Sequence, residues 1–144
     1  MGDFDGDGDL DIAVANSGAN SLSVYAGDGA GVFGAASILS VGQPPNTVAT
    51  ADFNSDGVLD LAIANSLIFP TGSDDLTILL GIGGGNFAAP QNFGIGGTVS
   101  RPSASIAVAD FNRGGNLDVA IGHTNLNIVS IFLGNGAGSF RQKS

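Results

Sequence analysis

The stretch Asp3-Phe4-Asp5-Gly6-Asp7-Gly8-Asp9-Leu10-Asp11 carries an aspartate at every second position. Carboxylates held so close repel one another and lose hydration, so a fold that keeps them together needs a counter-charge. In a straight strand, alternate residues would spread along the chain at about 3.3 Å per residue. Gly6 and Gly8 offer the positive φ that lets the backbone curl and bring the carboxylates together.

This stretch, loop 1, is interpreted as a calcium site, because calcium accepts about six to eight oxygen ligands at roughly 2.3–2.6 Å. A solvated acidic turn is the alternative. An EF-hand is excluded, because its loop ends in a glutamate at the twelfth position, where Val14 stands, and needs flanking helices. The predicted ligands are the side chains of Asp3, Asp5, Asp7 and Asp11 and the carbonyl of Asp9.

The negative charge of the chain is concentrated in three short segments. All 13 acidic residues are aspartates, and ten of them lie in residues 3–11, 52–60 and 110–118, so the net charge of −9 reflects local sites. Nucleic-acid binding is disfavoured, because four scattered cations form no basic stripe. The chain has no cysteine, no apolar run long enough for a membrane span and no signal peptide at its start. Calcium sites of modest affinity favour an extracellular origin, with the export signal on a longer parent or removed.

Internal repetition is the strongest signal in the sequence. Asp3-Phe4-Asp5 recurs as Asp52-Phe53-Asn54 and Asp110-Phe111-Asn112, at offsets of 49 and 58 residues. The same strand follows each loop, and then a second strand and a glycine-rich turn. Extra residues in Leu67–Asp74 and Gly94–Pro102 account for the longer offset. The predicted repeats span about residues 1–46, 47–102 and 103–144 of a single segment.

The sequence predicts an all-β fold, because alternating β-branched and small residues fit strands and no helical periodicity is present. Each repeat is read as strands A, B, C and D, with the aspartate loop between A and B. Four short antiparallel strands every 50 or so residues are typical of a β-propeller blade. The predicted strands are A, Thr47–Phe53 and Ser103–Phe111; B, Ile12–Ala15, Ile63–Ala64 and Val119–Ile121; C, Leu22–Tyr25, Leu76–Leu80 and Ile128–Leu133; D, Phe33–Leu39 and Phe87–Phe93.

The glycine runs at residues 27–31, 81–85 and 134–138 are interpreted as C–D hairpin turns. A phosphate-binding loop would need a helix N-terminus after the glycines. Instead Phe33, Phe87 and Phe140 follow, and they are expected to pack between blades.

These motifs resemble the FG-GAP/VCBS repeats of bacterial extracellular proteins, relatives of the integrin α-subunit propeller. The resemblance rests on the three aspartate loops, the Leu-Asp strand that follows each, and segments such as Phe33-Gly34-Ala35. It covers nearly the whole chain. It implies a propeller with calcium in the A–B loops, which serves adhesion or ligand recognition rather than catalysis.

The other two loops follow the pattern with departures. Loop 2 has Asn54 as a neutral donor, and loop 3 has Gly114 in place of the third acid, with Arg113 beside it. Two calcium sites are therefore expected, with a weak or empty third. The ligands predicted for loop 2 are Asp52, Asn54, Asp56, Asp60 and the carbonyl of Val58; those for loop 3 are Asp110, Asn112, Asn116 and Asp118.

Enzymatic activity is not expected. His123, the single histidine, is interpreted as a polar group at a strand end, and no nucleophile set is recognisable by spacing. A lectin-like, carbohydrate-binding module is one alternative, weakly supported by Phe69. A structural segment of a secreted enzyme or of a self-assembling surface structure is another. A nonapeptide β-roll is excluded, because the loops recur at about 50 residues rather than about nine.

The first and last blades are predicted to be incomplete. Repeat 1 lacks most of strand A, and repeat 3 has a short strand D. Propellers close with about four to eight blades, so about three cannot form a ring. We expect the unpaired edge of Leu10–Ser17 to associate with further repeats of a longer parent or with copies of the chain, and two copies would make six blades. The other expected partner is an extracellular protein or glycan.

Overall fold

The computed structural model describes residues 1–66, 76–94, 103–124 and 127–143 of the chain. Within these ranges the regular structure consists of β-strands in four antiparallel sheets and one short 3₁₀ turn at Ser17–Ala19. The all-β prediction is therefore confirmed. Among the described residues, no helix has the length and apolar character required to cross a membrane.

Thirteen strands form three larger sheets and one hairpin. Sheet 1 has the order β1-β2-β3, sheet 2 the order β4-β5-β6-β9, and sheet 3 the order β10-β11-β12-β13; β7 and β8 pair as the hairpin. The strands are β1 (Ile12–Asn16), β2 (Ser21–Tyr25), β3 (Ser37–Ser40), β4 (Pro45–Ala51), β5 (Asp60–Asn65), β6 (Leu76–Leu79), β7 (Gly81–Gly83), β8 (Asn86–Phe87), β9 (Gln91–Phe93), β10 (Ser103–Ala109), β11 (Asp118–His123), β12 (Ile128–Gly134) and β13 (Phe140–Gln142).

The three large sheets follow one another along the chain and share one strand order. Sheets 2 and 3 contain the four predicted strands in the order A-B-C-D, and sheet 1 contains B, C and D. In repeat 1, strand A is represented by a single bridge between Gly2 and Asp11. Strand β1 is therefore the edge strand of sheet 1. The predicted extra residues at Leu67–Asp74 lie outside the described residues, as do Phe69 and most of Gly94–Pro102.

Several predicted strand boundaries were wrong. The A strands end at Ala51 and Ala109, because the N–H of the next loop's phenylalanine is bound by an aspartate side chain instead of a neighbouring strand. In repeat 1, strand D begins at Ser37, and Phe33 forms an isolated bridge. In repeat 2, strand D is split before Pro90, which has no N–H to donate to a ladder.

Sheet 2 lies between the other two sheets, and this position explains why every residue of β5 is buried. Side chains alternate between the two faces of a strand. Leu61 and Ile63 pack with sheet 1, whereas Ala62 and Ala64 pack with sheet 3. Full burial of a leucine or isoleucine side chain contributes about 1.5–3 kcal/mol. The hydrophobic core therefore consists of two layers, one on each side of sheet 2.

Polar side-chain pairs connect strands B and C in the same place in each repeat. Asn16 donates to Ser23 and Asn65 donates to Thr77, each at 2.8 Å. In sheet 3 the Nε2 atom of His123 lies 2.8 Å from the hydroxyl of Ser130. His123 thus occupies the position of the two asparagines, in agreement with its interpretation as a polar group at a strand end.

Candidate metal centre

The three aspartate loops share one backbone conformation. In loop 1 the φ angles of Gly6 and Gly8 are 87° and 95°, which confirms that these glycines curl the chain. Loop 2 has positive φ at the equivalent positions, 61° at Ser55 and 86° at Gly57. Loop 3 has them as well, at Arg113 and Gly115. The curl is therefore preserved even where the residue at its first position is not glycine.

The first aspartate of each loop binds the backbone of the curl. The two carboxylate oxygens of Asp3 accept hydrogen bonds from the N–H groups of Gly6 and Gly8, at 2.7 and 3.0 Å. Asp52 and Asp110 likewise accept one hydrogen bond on each carboxylate oxygen, but from the N–H groups four and five residues further on. The hydrogen bond from the N–H of Gly115 is the main reason that the pKa of Asp110 is lowered. These aspartates hold the loop shape as well as offering oxygen atoms to a cation.

The last aspartate of each loop is buried and connects two parts of the repeat. Asp60 accepts from the N–H of Phe53 and from the N–H of Gly81, both at 2.7 Å. Burial raises its pKa, although these two hydrogen bonds act in the opposite direction. Asp11 and Asp118 accept from the equivalent phenylalanine and glycine N–H groups.

This connecting role was missed by the sequence analysis, which treated Asp11, Asp60 and Asp118 only as metal ligands. The sequence feature that could have indicated this role is the first glycine of each glycine-rich run, because it recurs together with the buried aspartate in all three repeats. The two roles are compatible, because a carboxylate oxygen has more than one lone pair.

The middle of loop 1 is formed by short turns closed by aspartate side chains. Asp5 accepts a hydrogen bond from the N–H of Asp7 at 3.1 Å, and Asp7 accepts one from the N–H of Asp9 at 2.8 Å. Such side-chain turns are common for aspartate. The side chain of Asp9 lies beside Gly29, where an added Cβ would overlap its carboxylate. The atom of Asp9 that is predicted to bind the cation is its backbone carbonyl oxygen, not its side chain.

Loop 1 brings three of its five carboxylates together. Oxygen atoms of Asp3, Asp5 and Asp11 all lie within 4.8 Å of one another, and the side chain of Asp7 is not part of this group. The N–H of Asp7 lowers the pKa of Asp5, but desolvation and the neighbouring negative charges outweigh it, so the pKa is raised overall. A cation at this point would relieve that repulsion. The donors are all oxygen atoms, which suits a hard cation such as calcium.

Loop 2 has a different donor set. Asn54 replaces the second acid, and its amide N–H donates to Asp56 at 2.8 Å. Asp56 also accepts a hydrogen bond from the N–H of Val58 at 2.8 Å. Over the described ranges, loop 1 is the one place where three carboxylates come within 4.8 Å. Loop 2 therefore offers fewer charged oxygen atoms to a cation.

Loop 3 pairs its buried carboxylate internally. The amide N–H₂ group of Asn112 lies 3.0 and 3.3 Å from the two oxygens of Asp118. Gly114 permits this arrangement, because a Cβ at that position would overlap the amide oxygen of Asn112. Asn112 thus gives Asp118 a neutral hydrogen-bond donor at the position where loop 1 has the carboxylate of Asp5. The side chain of Asn116 lies beside Gly136, as that of Asp9 lies beside Gly29 in loop 1.

The comparisons with known proteins bear on residues 3–63. This range matches the family model described as an FG-GAP-like repeat, and it includes loops 1 and 2 with the strands that connect them. No curated protein and no solved structure matches the chain at a significant level. The resemblance inferred from the motifs is thereby confirmed over residues 3–63, which match an FG-GAP-like repeat.

Proposed function

We propose that this chain is a calcium-binding β-propeller segment that acts outside the cell in adhesion or ligand recognition, without catalysis. The observation that carries the metal proposal is the convergence of oxygen atoms of Asp3, Asp5 and Asp11 within 4.8 Å, in a loop whose curl is held by backbone N–H groups that donate to Asp3. The match of residues 3–63 to a repeat family that generally serves structural and binding roles supports a binding function. Its ligand would be an extracellular protein or glycan.

The packing of the sheets supports the propeller proposal. Propeller blades are four-stranded antiparallel sheets. Sheets 2 and 3 have this composition, and sheet 2 is buried against a neighbour on each face. Repetition of that packing beyond sheets 1 and 3 would generate further blades.

Calcium in loop 1 would act on the junction between sheets. Asp11 holds the N–H of Phe4 at 2.7 Å, and the buried ring of Phe4 packs against residues of sheet 2. A cation that neutralises Asp3, Asp5 and Asp11 would remove the repulsion that opposes this loop conformation. We therefore expect calcium to stabilise the folded chain and to leave its fold unchanged.

Chelation tests the proposal. Metal that binds only the native state adds RT ln(1 + [L]/Kd), or roughly 2.7 kcal/mol at about a hundredfold excess over Kd. EGTA should therefore lower the melting temperature of the calcium-loaded chain, and isothermal calorimetry should detect calcium binding. An unchanged melting curve together with no heat of calcium binding would rule the proposal out.

Two alanine variants test whether calcium binding depends on the three-carboxylate group of loop 1. Asp5→Ala should weaken calcium binding by about tenfold or more, equivalent to about 1.4 kcal/mol. Asp28→Ala is the matched control, because Asp28 also accepts hydrogen bonds from nearby N–H groups in an exposed turn but lies outside the three-carboxylate group. Its calcium affinity should stay close to that of the unchanged chain. Equal losses in both variants would contradict the assignment of loop 1.

A further inference from the structure

The two junctions between neighbouring sheets have the same construction. In the first, the carbonyl of Phe4 in loop 1 accepts a hydrogen bond from the N–H of Gly85 at 3.0 Å. The ring of Phe4 meets that of Phe87 edge to face, with centroids 5.8 Å apart. Both partners belong to the glycine-rich turn of the next repeat.

The second junction repeats these contacts one repeat later. The carbonyl of Phe53 in loop 2 accepts from the N–H of Gly138 at 3.3 Å, and its ring meets that of Phe140 edge to face at 5.5 Å. Phe4 and Phe53 are both buried. Each junction therefore has two halves. We call the loop phenylalanine, whose ring is inserted, the donor half. We call the glycine-rich turn of the following repeat, together with the phenylalanine after it, the receiving half.

The donor half of the last repeat is exposed. Phe111 occupies the position of Phe4 and Phe53 in loop 3, and 48% of its surface is accessible. Asp118 accepts a hydrogen bond from the N–H of Phe111 at 3.0 Å, as the corresponding aspartates do in the other loops. Phe111 is therefore held at the same loop position, but it belongs to neither of the hydrophobic clusters found among the described residues.

The receiving half of the first repeat is exposed as well. Phe33 occupies the position of Phe87 and Phe140 but is 42% accessible. It lines an open cavity of about 400 Å³ together with Leu10, Val32 and Gly31. In the two internal junctions, the leucines equivalent to Leu10, which are Leu59 and Leu117, pack in the same clusters as Phe4 and Phe53. The cavity thus lies where an incoming phenylalanine would pack.

We propose that Phe111 of one copy of this chain inserts into the cavity formed by Leu10, Val32 and Phe33 of a second copy. The occupant is a second copy because this chain already contains two junctions of the required shape, and its two end sheets carry the two complementary halves. Such a contact is heterologous, so it produces either a closed ring or an extended stack. The proposal rests on the phenylalanine contacts and stands whether or not loop 1 binds calcium.

Static light scattering of the whole 144-residue chain at micromolar concentration tests the contact. The unchanged chain should have a mass of at least two copies, and both Phe111→Ser and Phe33→Ser should have the mass of a single chain. Both side chains are exposed, so the variants should keep the circular dichroism spectrum of the unchanged chain. Ile82→Ser is the matched control, because Ile82 is an exposed apolar residue in the turn of the middle repeat, and it should associate like the unchanged chain.

Mixing the two variants provides the decisive measurement. Phe111→Ser retains an intact receiving half and Phe33→Ser retains an intact donor half, so an equimolar mixture should form a one-to-one complex that neither variant forms alone. The same measurements in EGTA keep this result separate from the calcium proposal. A single-chain mass for the unchanged protein, association that survives both serine substitutions, or no complex in the mixture would overturn the proposal.

Discussion

At the scale of single residues, the first glycine of each glycine-rich run is required by close approach rather than by a turn. A Cβ on Gly81 would overlap the backbone carbonyl oxygen of Leu59, an atom that cannot swing away. The φ angle of Gly81 is not positive, so its conformation alone would permit another residue. The same overlap occurs between Gly27 and Leu10 and between Gly134 and Leu117. This approach also lets the glycine N–H reach the buried aspartate of the loop.

Gly81→Ala should therefore lower the free energy of unfolding by about 1–3 kcal/mol, the usual cost of forcing an extra carbon into a packed site. Gly18→Ala is the control, because Gly18 has open space around its Cα and no positive φ. Urea unfolding followed by circular dichroism measures both. If Gly81→Ala were as stable as Gly18→Ala, the close approach would not constrain the fold.

At the scale of elements, the three loops share one backbone conformation but carry three different sets of oxygen-bearing side chains. The curl is maintained by the first aspartate, and the loop is attached to its repeat by the last one, as in Asp3 and Asp11. The positions between them vary without changing the curl, from carboxylates in loop 1 to Asn112 and Gly114 in loop 3. The shape of the loop therefore does not depend on which oxygen-bearing side chains occupy its middle positions.

Gly114→Asp should raise the number of calcium ions bound per chain. The new Cβ would displace the amide of Asn112 from Asp118, and the new carboxylate would restore the third acid of the loop. Gly114→Ala is the matched control, because it adds the Cβ without the charge. Calcium stoichiometry from calorimetry decides the matter. Equal stoichiometry in the two variants, or full occupancy of loop 3 in the unchanged chain, would contradict this view of the third site.

At the scale of the whole molecule, sheet 2 holds the chain together, because each of its faces is buried against a different neighbour. The loop phenylalanines anchor both interfaces. Phe53 is buried among residues from sheets 2 and 3, whereas Phe111, at the same position one repeat later, is exposed. The same motif is therefore buried where the next sheet packs against it and exposed at the last of the three loops.

Phe53→Ala should lower the free energy of unfolding by about 3–5 kcal/mol, the range for removing a buried phenylalanine. Phe111→Ala should change it by no more than about 0.5 kcal/mol, as is usual at exposed positions. Both are measured by urea unfolding at protein concentrations below the onset of association. If the loss for Phe53→Ala were as small as that expected for Phe111→Ala, the packing of Phe53 would contribute little to holding sheets 2 and 3 together.

Local sequence was sufficient to predict the all-β fold, the approximate positions of the strands and the curl of loop 1. Strand alternation and positive φ depend on residues that are neighbours in the chain, so the pattern around Ile63 and the glycines of loop 1 could be read directly. The stretch of repeat sequence was also identifiable, because Asp3-Phe4-Asp5 recurs with its following strand. The ends of the A and D strands were less predictable, because they depend on which partner takes each N–H group.

The double role of the buried aspartates and the partners of the phenylalanines required the assembled structure. Asp60 joins N–H groups that lie seven residues before it and 21 residues after it. Phe4 meets Phe87 only because two sheets stack. No local pattern distinguishes Phe53 from Phe111, because each lies between an aspartate and an asparagine. Their burial differs because burial is a property of the surrounding sheets, and these come together only when the whole chain folds.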